Sequence, residues 1–256
     1  LLAHGDFTKL ASNYDAYRPG YGPDSIRLIT GAMARPIDEV DVVDIGAGTG
    51  IWTRQIHAAG ARAVIAIEPN DEMRKIGWNS SAGLPIQWQV GTAEDTGLLR
   101  DSSMLLTMAS SFHWADFPLA LAEFRRVLSP GGWFVALWNT RNLDESPLLI
   151  GIEAELKRLV PELSRISSGN SSFTNGLTSR LMQADGWGEP IYAECFHTEP
   201  MSVERYIGVW RSVNDVQVQA GPKRFSAFIQ SIRERLSGTE VVKCQYRTRI
   251  WMVQKL

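Results

Sequence analysis

The sequence predicts an α/β fold built on a doubly wound, mostly parallel sheet. Short apolar runs of strand length alternate with helical patterns between residues 40 and 138. These runs are almost continuously apolar, as in strands that helices cover on both faces. A glycine-rich turn, Gly46–Gly50, joins the first strand of this series to the first helix, an arrangement typical of nucleotide-binding α/β folds.

Hydrophobic periodicity and turn residues predict the elements of the first half in order. Two helices come first, one over Asp6–Tyr17 and one that begins near Pro23. The predicted strands are Val40–Ile45, Ala63–Ile67, Ile86–Val90, Met104–Ala109 and Trp133–Trp138. The predicted helices between them are Ile51–Ala59, Asp71–Trp78 and Phe117–Leu128.

The second half has a looser pattern. Predicted helices cover Pro147–Val160, Leu177–Asp185, Val203–Val213 and Arg224–Leu236. A polar loop over Ser167–Gly176, a strand over Ile191–His197 and one or two extended segments within Val241–Val253 complete the chain. We expect one domain over 1–256: a helical cover (1–38), a cofactor-binding half (39–139) and a half that completes the sheet (140–256), with a helical lid at 202–237.

Composition limits the classes of function. The chain has 256 residues, of which 44% are apolar, and 26 basic against 28 acidic residues give a net charge of −2. This excludes a wholly disordered chain and lacks the basic surplus typical of nucleic-acid binding, so a small-molecule partner is favoured. No apolar run is long enough to span a membrane, and residues 1–6 do not form a signal-peptide pattern. We expect a cytoplasmic protein in which Cys195 and Cys244 stay reduced.

Three segments predict a nucleotide site at the carboxyl ends of the strands. Asp44 comes directly before the glycine turn, where a carboxylate would repel a pyrophosphate and would suit a ligand that carries an ammonium or a sulfonium. Glu68 ends the second strand and can accept hydrogen bonds from ribose hydroxyls. The loop Gly91–Asp95 follows the third strand and can contact an adenine edge.

Together these segments resemble the class I S-adenosylmethionine-dependent methyltransferases. The matching text is VVDIGAGTG at 42–50, IEPN at 67–70, GTAE at 91–94, SSFHW at 110–114 and FRRVLSPGG at 124–132. YRPGY at 17–21 also looks like the start of the small-molecule branch that contains the trans-aconitate-type enzymes.

The resemblance implies a seven-stranded Rossmann-like sheet with an antiparallel last strand, and S-adenosyl-L-methionine as cofactor. By position, Gly46, Ala47 and Gly48 would hold the methionine part, Glu68 with Pro69 the ribose, and Met73 the adenine. Thr92, Ala93 and Glu94 would face the adenine edge, and Ser110 would lie near the methyl group. Tyr14, Tyr17 and Arg18 would close over the carboxylate end.

The expected reaction is in-line methyl transfer to a small molecule, with an oxygen as the favoured nucleophile. His113 is the candidate base because its ordinary pKa suits proton abstraction near neutral pH, although it could equally be a packing residue. Trp114, Arg141 and Trp210 are candidate substrate contacts, with a core or a solvated position as the alternative. No convincing carboxylate cluster suggests a metal.

Two other classes stay open at this point. A nicotinamide-dependent oxidoreductase shares the strand–glycine–helix unit and the ribose acid, but Asp44 counts against it. A protein that binds S-adenosylmethionine without catalysis, or that uses it as a bound cation for a rearrangement, shares every motif.

Overall fold

The computed structural model describes residues 6–143, 146–165 and 169–256. The strands are β1 (Asp41–Ile45), β2 (Ala63–Ile67), β3 (Ile86–Gln89), β4 (Ser103–Ala109), β5 (Leu128–Asn142), β6 (Ile191–Ser202) and β7 (Val241–Gln254). The helices are α1 (Ala11–Tyr17), α2 (Ser25–Met33), α3 (Ile51–Ala58), α4 (Asp71–Ser80), α5 (Phe117–Val127), α6 (Pro147–Leu159), α7 (Ser172–Asn175), α8 (Leu177–Met182), α9 (Val203–Arg211) and α10 (Asn214–Arg235).

The seven strands form a single sheet in the order β3-β2-β1-β4-β5-β7-β6. The pairs among β1 to β5 are parallel, whereas β7 runs antiparallel to both β5 and β6. The predicted doubly wound, seven-stranded and mostly parallel fold is therefore confirmed. The strand order reverses beside β1, and ligands of open α/β sheets bind outside the carboxyl ends of the strands at such a point.

Apolar side chains cover both faces of the sheet. Helices α2 and α3 contribute Ile29, Trp52 and Ile56 to the core on one face. Helix α5 contributes Ala120, Leu121, Phe124 and Val127 to the core on the other face, together with Leu177 and Leu181 of α8. The continuous apolar runs in the sequence follow from this two-sided burial.

A third core forms where α6, α9 and α10 pack on the β7 half of the sheet. Its buried members include Leu149, Ile152, Trp210 and Phe228. We call this helical layer the cap. The division into a cover, a cofactor-binding half and a lid stays a prediction.

Several elements differ from the sequence-based expectation, and β5 is longer than expected at both ends. Strand β6 continues to Ser202 and β7 is one uninterrupted strand, because the two pair along their full lengths. Helix α10 begins ten residues before the expected Arg224, with a kink at Gly221 and Pro222. The expected loop Ser167–Gly176 contains the short helix α7, and its residues 167 and 168 lie outside the described residues.

Candidate active site

A cavity of about 630 Å³ opens at the carboxyl ends of the parallel strands. Its walls come from the turns after β1, β2 and β4, from the end of β5, from the cap and from residues 6–22, which we call the N-terminal segment. Thirteen of the seventeen predicted site residues line it: Arg18, Gly46, Ala47, Gly48, Glu68, Pro69, Met73, Thr92, Ala93, Glu94, Ser110, Trp114 and Arg141. The four that do not line it are Tyr17, Asp44, His113 and Trp210.

The glycine turn brings main chain close to the cavity. Gly46 and Gly48 have φ of 64° and 59°, a region that disfavours residues with a Cβ. A Cβ at Gly46 would also lie 2.8 Å from the Ser111 side chain. The turn is therefore restricted to glycine by its backbone and by its neighbour, and it leaves open space beside the main chain.

Glu68 joins the glycine turn to the end of β2. Its Oε2 accepts a 2.7 Å hydrogen bond from the Gly48 N–H, and its Oε1 accepts a 2.8 Å bond from the Asn70 N–H. Burial raises the pKa of Glu68, while these two backbone donors lower it. A carboxylate held in this way presents its remaining lone pairs to hydroxyl donors in the cavity.

Asp44 lies beneath the cavity floor. Its Oδ2 accepts from the Thr53 hydroxyl at 2.5 Å and its Oδ1 from the Thr107 hydroxyl at 3.0 Å. The side chain is fully buried, and burial raises its pKa to about 7. Asp44 thus links β1, α3 and β4, and its role toward the ligand stays a prediction.

The adenine end, as the resemblance assigns it, is built by α4 and the loop after β3. Asn70 caps α4 by accepting from the Met73 N–H at 3.0 Å, and the Met73 side chain lies next to Gly48. The Thr92 hydroxyl accepts from the Glu94 N–H at 3.2 Å, and Glu94 accepts from the Asp116 N–H at 2.7 Å. These local bonds hold the loop against the cavity.

Ser110 sits at the centre of the site, directly after β4. Its φ of 58° is unusual for a residue with a side chain, and its N–H donates to the Leu137 carbonyl at 2.7 Å. The Tyr21 hydroxyl donates to the Ser110 Oγ at 2.9 Å. The N-terminal segment is thereby connected to the middle of the sheet.

Arg18 and Tyr17 have different surroundings although they are adjacent. Arg18 lines the cavity, and its Nε donates to the Ser212 Oγ at 2.7 Å. The Tyr17 ring packs against Gly208 of α9, where a Cβ would overlap the ring. Tyr14 lines the cavity and Tyr17 does not, and a role for either residue at the cofactor stays a prediction.

His113 lies behind the cavity wall. Its ring is 4.5 Å from Trp114 and 6.2 Å from Trp138 between centroids, and neither ring nitrogen has a hydrogen-bond partner among the described residues. Burial lowers its pKa to about 4. Trp114 itself lines the cavity and is 42% exposed, with Phe7 of the N-terminal segment 6.4 Å away.

The end of β5 carries a buried arginine on the cavity wall. The Arg141 guanidinium lies 3.8 Å over the Trp210 ring, and its Nη2 is 3.3 Å from Glu153. Trp210 is fully buried beneath Arg141, so it supports the wall instead of forming it. Arg165 lies 3.4 Å from the other oxygen of Glu153.

Sequence reasoning did not select several residues that line the cavity, among them Phe7, Tyr21, Asn139, Arg165 and Tyr246. Tyr21 belongs to the matched stretch at 17–21, and Asn139 directly follows the predicted fifth strand, so both had a signal. Tyr246 had none, because only the register of β7 places it opposite Arg141. Within the described ranges, no group of three His, Cys, Asp or Glu side chains could hold a metal ion, and no helix could cross a membrane.

The sheet order, together with the glycine turn and Glu68 in one cavity, is typical of the class I S-adenosylmethionine-dependent methyltransferases. Residues 43–136 match the family model described as methyltransferase domain. Residues 43–136 thus resemble a methyltransferase domain, and the fold agrees with that of methyltransferases of known structure.

Relatives agree with this class. An uncharacterised methyltransferase of Mycobacterium tuberculosis is 36% identical over 137 residues, which cover 53% of each chain, so the chain matches about half the length of this relative. A methyltransferase-like protein of Schizosaccharomyces pombe is 25% identical over 95% of this chain and 93% of its own. The ubiquinone/menaquinone biosynthesis C-methyltransferase of Rubrivivax gelatinosus is 36% identical over 41% of each chain.

Solved structures share the fold. A proposed type II methyltransferase from Anaeromyxobacter dehalogenans superimposes with a TM-score of 0.64 at 21% identity, covering 94% of this chain and 98% of the other. A phosphoethanolamine N-methyltransferase of Haemonchus contortus, in complex with S-adenosylhomocysteine, gives 0.56 at 12% identity, covering 100% of this chain and 60% of the other.

Proposed function

We propose that this chain transfers the methyl group of S-adenosylmethionine to an oxygen atom of a small-molecule acceptor. The observation that carries the proposal is the Gly48 N–H bonded to Glu68 at 2.7 Å, in a cavity that extends from there to Arg141. One end thus has the hydrogen-bonding groups for a nucleoside, and the other has room and charge for an acceptor.

The cofactor would lie along the ends of β1 and β2. Glu68 would accept from the ribose hydroxyls, and the open main chain at Gly46 and Gly48 would lie against the methionine part. Met73 and the loop at 92–94 would enclose the adenine, and Arg18 would face the carboxylate. The positions of these residues support the roles that the resemblance assigns to them.

The bound cofactor supplies a methyl group already activated by its sulfonium. The protein then has to align the acceptor and exclude water, and such positioning is worth roughly 7–11 kcal/mol. Ser110, Trp114 and Arg141 line the part of the cavity available to the acceptor. We propose that these three residues position it.

We propose that His113 supports the Trp114 and Trp138 rings and does not act as the base. It lies outside the lining, and its pKa of about 4 leaves it a weak acceptor of protons. No histidine occurs among the described residues that line the cavity. An oxygen nucleophile that is ionised near neutral pH needs no base.

The names of relatives include both a C-methyltransferase and an O-methyltransferase of ubiquinone biosynthesis, so likeness alone does not select the atom. Oxygen is favoured here because the acceptor end presents arginine and tyrosine side chains. These donors bind oxygen-rich molecules. A cytoplasmic location stays a prediction.

Calorimetric titration with S-adenosylhomocysteine and, separately, with NAD tests the cofactor site. We expect binding of the first and none of the second. Glu68→Ala should weaken S-adenosylhomocysteine about 10- to 100-fold, because bonds to a charged group are lost. Glu72→Ala on the exposed side of α4 is the matched control and should bind normally. Equal affinity of both variants would refute the assignment, and binding of NAD would favour an oxidoreductase.

Transfer of labelled methyl to a mixture of small-molecule acceptors tests the activity itself. Label in an oxygen-linked product supports the proposal. Tight cofactor binding without transfer to any acceptor would favour a noncatalytic binder or a rearrangement enzyme.

A further inference from the structure

The cavity has a second polar end, well separated from Glu68. Arg141 lies at the end of β5, and β1 and β4 separate this strand from β2, which Glu68 follows. Three strand spacings amount to roughly 14 Å. A group bound at Arg141 is therefore a different group from the ribose bound at Glu68.

Register places Tyr246 beside Arg141. The two residues are direct partners in the antiparallel β5–β7 pair, so their side chains leave the sheet on the same face. Both line the cavity. Trp210 lies under the guanidinium at 3.8 Å and limits its orientation.

Both side chains have a hydrogen-bonding atom without a partner. The Arg141 Nη1 and the Tyr246 hydroxyl are buried, and neither has a hydrogen-bond partner among the described residues. Burial raises the pKa of Tyr246, so its hydroxyl keeps its proton. Arginine is only a donor and a protonated tyrosine can donate, so the pair suits a ligand rich in acceptors.

The charges at this end favour an anion. Among the described residues, three arginines (Arg18, Arg141 and Arg165) are grouped with two carboxylates (Glu153 and Asp215). The ion pair of Arg141 with Glu153 is long, at 3.3 Å. Strong charge-assisted bonds measure about 2.7–2.9 Å. Glu153 therefore matches the charge of Arg141 only in part, and a ligand anion can supply the rest.

We propose that Arg141 and Tyr246 bind a carboxylate of the acceptor, as an anchor distinct from the oxygen that receives the methyl group. The proposal rests on the function proposed above and specifies its acceptor class. A carboxylate accepts hydrogen bonds only, and its charge pairs with the guanidinium of Arg141. The nucleophile is another oxygen of the same molecule, a phenol that loses its proton to water before the transfer, so that the new O–CH3 bond forms as the S–CH3 bond breaks and no base is required.

Calorimetry on the protein saturated with S-adenosylhomocysteine tests the anchor. The probes are hydroxybenzoates, lactate and glycolate, each compared with its primary amide, which keeps the shape and removes the charge. We expect at least one acid to bind roughly 10- to 100-fold more tightly than its amide. Equal binding of acids and amides would overturn the proposal, while unchanged S-adenosylhomocysteine binding would leave the proposed function intact.

Variants test which residues cause the preference for the acid over its amide. Arg141→Gln should abolish it, Arg141→Lys should keep part of it, and Tyr246→Phe should weaken the acid roughly tenfold without affecting the amide. Arg158→Gln, on the exposed face of α6, is the matched arginine control. Binding of S-adenosylhomocysteine checks that each variant is folded. An acid preference that persists in both Arg141→Gln and Tyr246→Phe would contradict the assignment.

The product distinguishes anchor from nucleophile. Labelled methyl transferred to a hydroxybenzoate should resist alkaline hydrolysis, because the label is in an aryl ether. Release of the label as methanol would identify a methyl ester and would refute the separate anchor.

Discussion

At the scale of single residues, two carboxylates at neighbouring strand ends have different surroundings. Glu68 accepts from two backbone N–H groups and lines the cavity, whereas Asp44 accepts from two threonine hydroxyls and is fully buried. Asp44 directly precedes the glycine turn, and Glu68 accepts a hydrogen bond from it. The directions of the two side chains decide that Glu68 lines the cavity and that Asp44 is internal.

The burial of Asp44 predicts a pH effect on stability. Its pKa is about 7 in the folded chain against about 3.9 when unfolded. The folded state therefore holds a proton that the unfolded state loses, and this contribution to stability is full below about pH 4 and lost as the pH rises to 7. Asp44→Asn lacks the titration, so its stability relative to the unchanged chain should increase over this range, by at most about 4 kcal/mol.

Urea denaturation of both chains between pH 4 and 8 measures this difference. His113 contributes a change of opposite sign. Its pKa is lowered to about 4 in the folded chain, so the stability of the folded state increases as the pH rises from about 4 to the unfolded pKa of about 6.5. It is present in both chains and cancels in the comparison. A difference that does not vary with pH would show that Asp44 stays ionised when buried.

His113→Phe tests the packing role of the histidine. Phe fills a similar space in the ring cluster and removes two buried nitrogens that lack partners among the described residues. The free energy of unfolding should therefore increase by about 1 kcal/mol. Methyl-transfer activity should stay within tenfold, with an unchanged pH profile. A loss of 100-fold or more, the effect of removing a general base, would contradict the packing role.

At the scale of elements, α4 depends on a glycine for its fit against β3. Gly77 is buried on α4, and a Cβ there would overlap the Trp88 ring. Trp88 is held in place, since its Nε1 donates to the Ser81 Oγ at 2.9 Å. The glycine thus lowers helix propensity but permits close packing of helix and strand.

Gly77→Ala should reduce the free energy of unfolding by about 1–3 kcal/mol through overpacking. Gly31→Ala on α2 is the matched control, because no described atom lies within 4 Å of a Cβ at that position. It should stabilise the chain by roughly 0.5–1 kcal/mol, the helix preference of alanine over glycine. Denaturant midpoints of the two variants that shift in the same direction would refute this explanation.

At the scale of the whole molecule, the N-terminal segment holds several elements together around the cavity. Asp15 pairs with Arg54 of α3 at 2.9 Å and accepts from Ser80 of α4 at 2.7 Å. The Gly22 N–H donates to Thr248 of β7 at 2.9 Å. Cofactor binding and the folding of this segment should therefore be coupled.

S-adenosylhomocysteine at 100 times its Kd should stabilise the chain by about 2.7 kcal/mol. For a protein of this size the melting temperature should rise by roughly 5–10 °C. Glu68→Ala, at the same ligand concentration, should show a much smaller rise. A ligand that leaves proteolysis of residues 6–22 unchanged would contradict the coupling of this segment to the site.

The sequence by itself determined the sheet, the glycine turn, the position of Glu68 after the second strand and the polar loop at 91–95. These features depend on local patterns, namely apolar runs, turn glycines and polar residues at strand ends, which involve residues close together in sequence. The tertiary structure alone decided which side chains reach the cavity. Packing against α9 removes Tyr17, the ring cluster takes in His113, and the β5–β7 register brings Tyr246 to Arg141. Such contacts join residues far apart in sequence, and no local pattern encodes them.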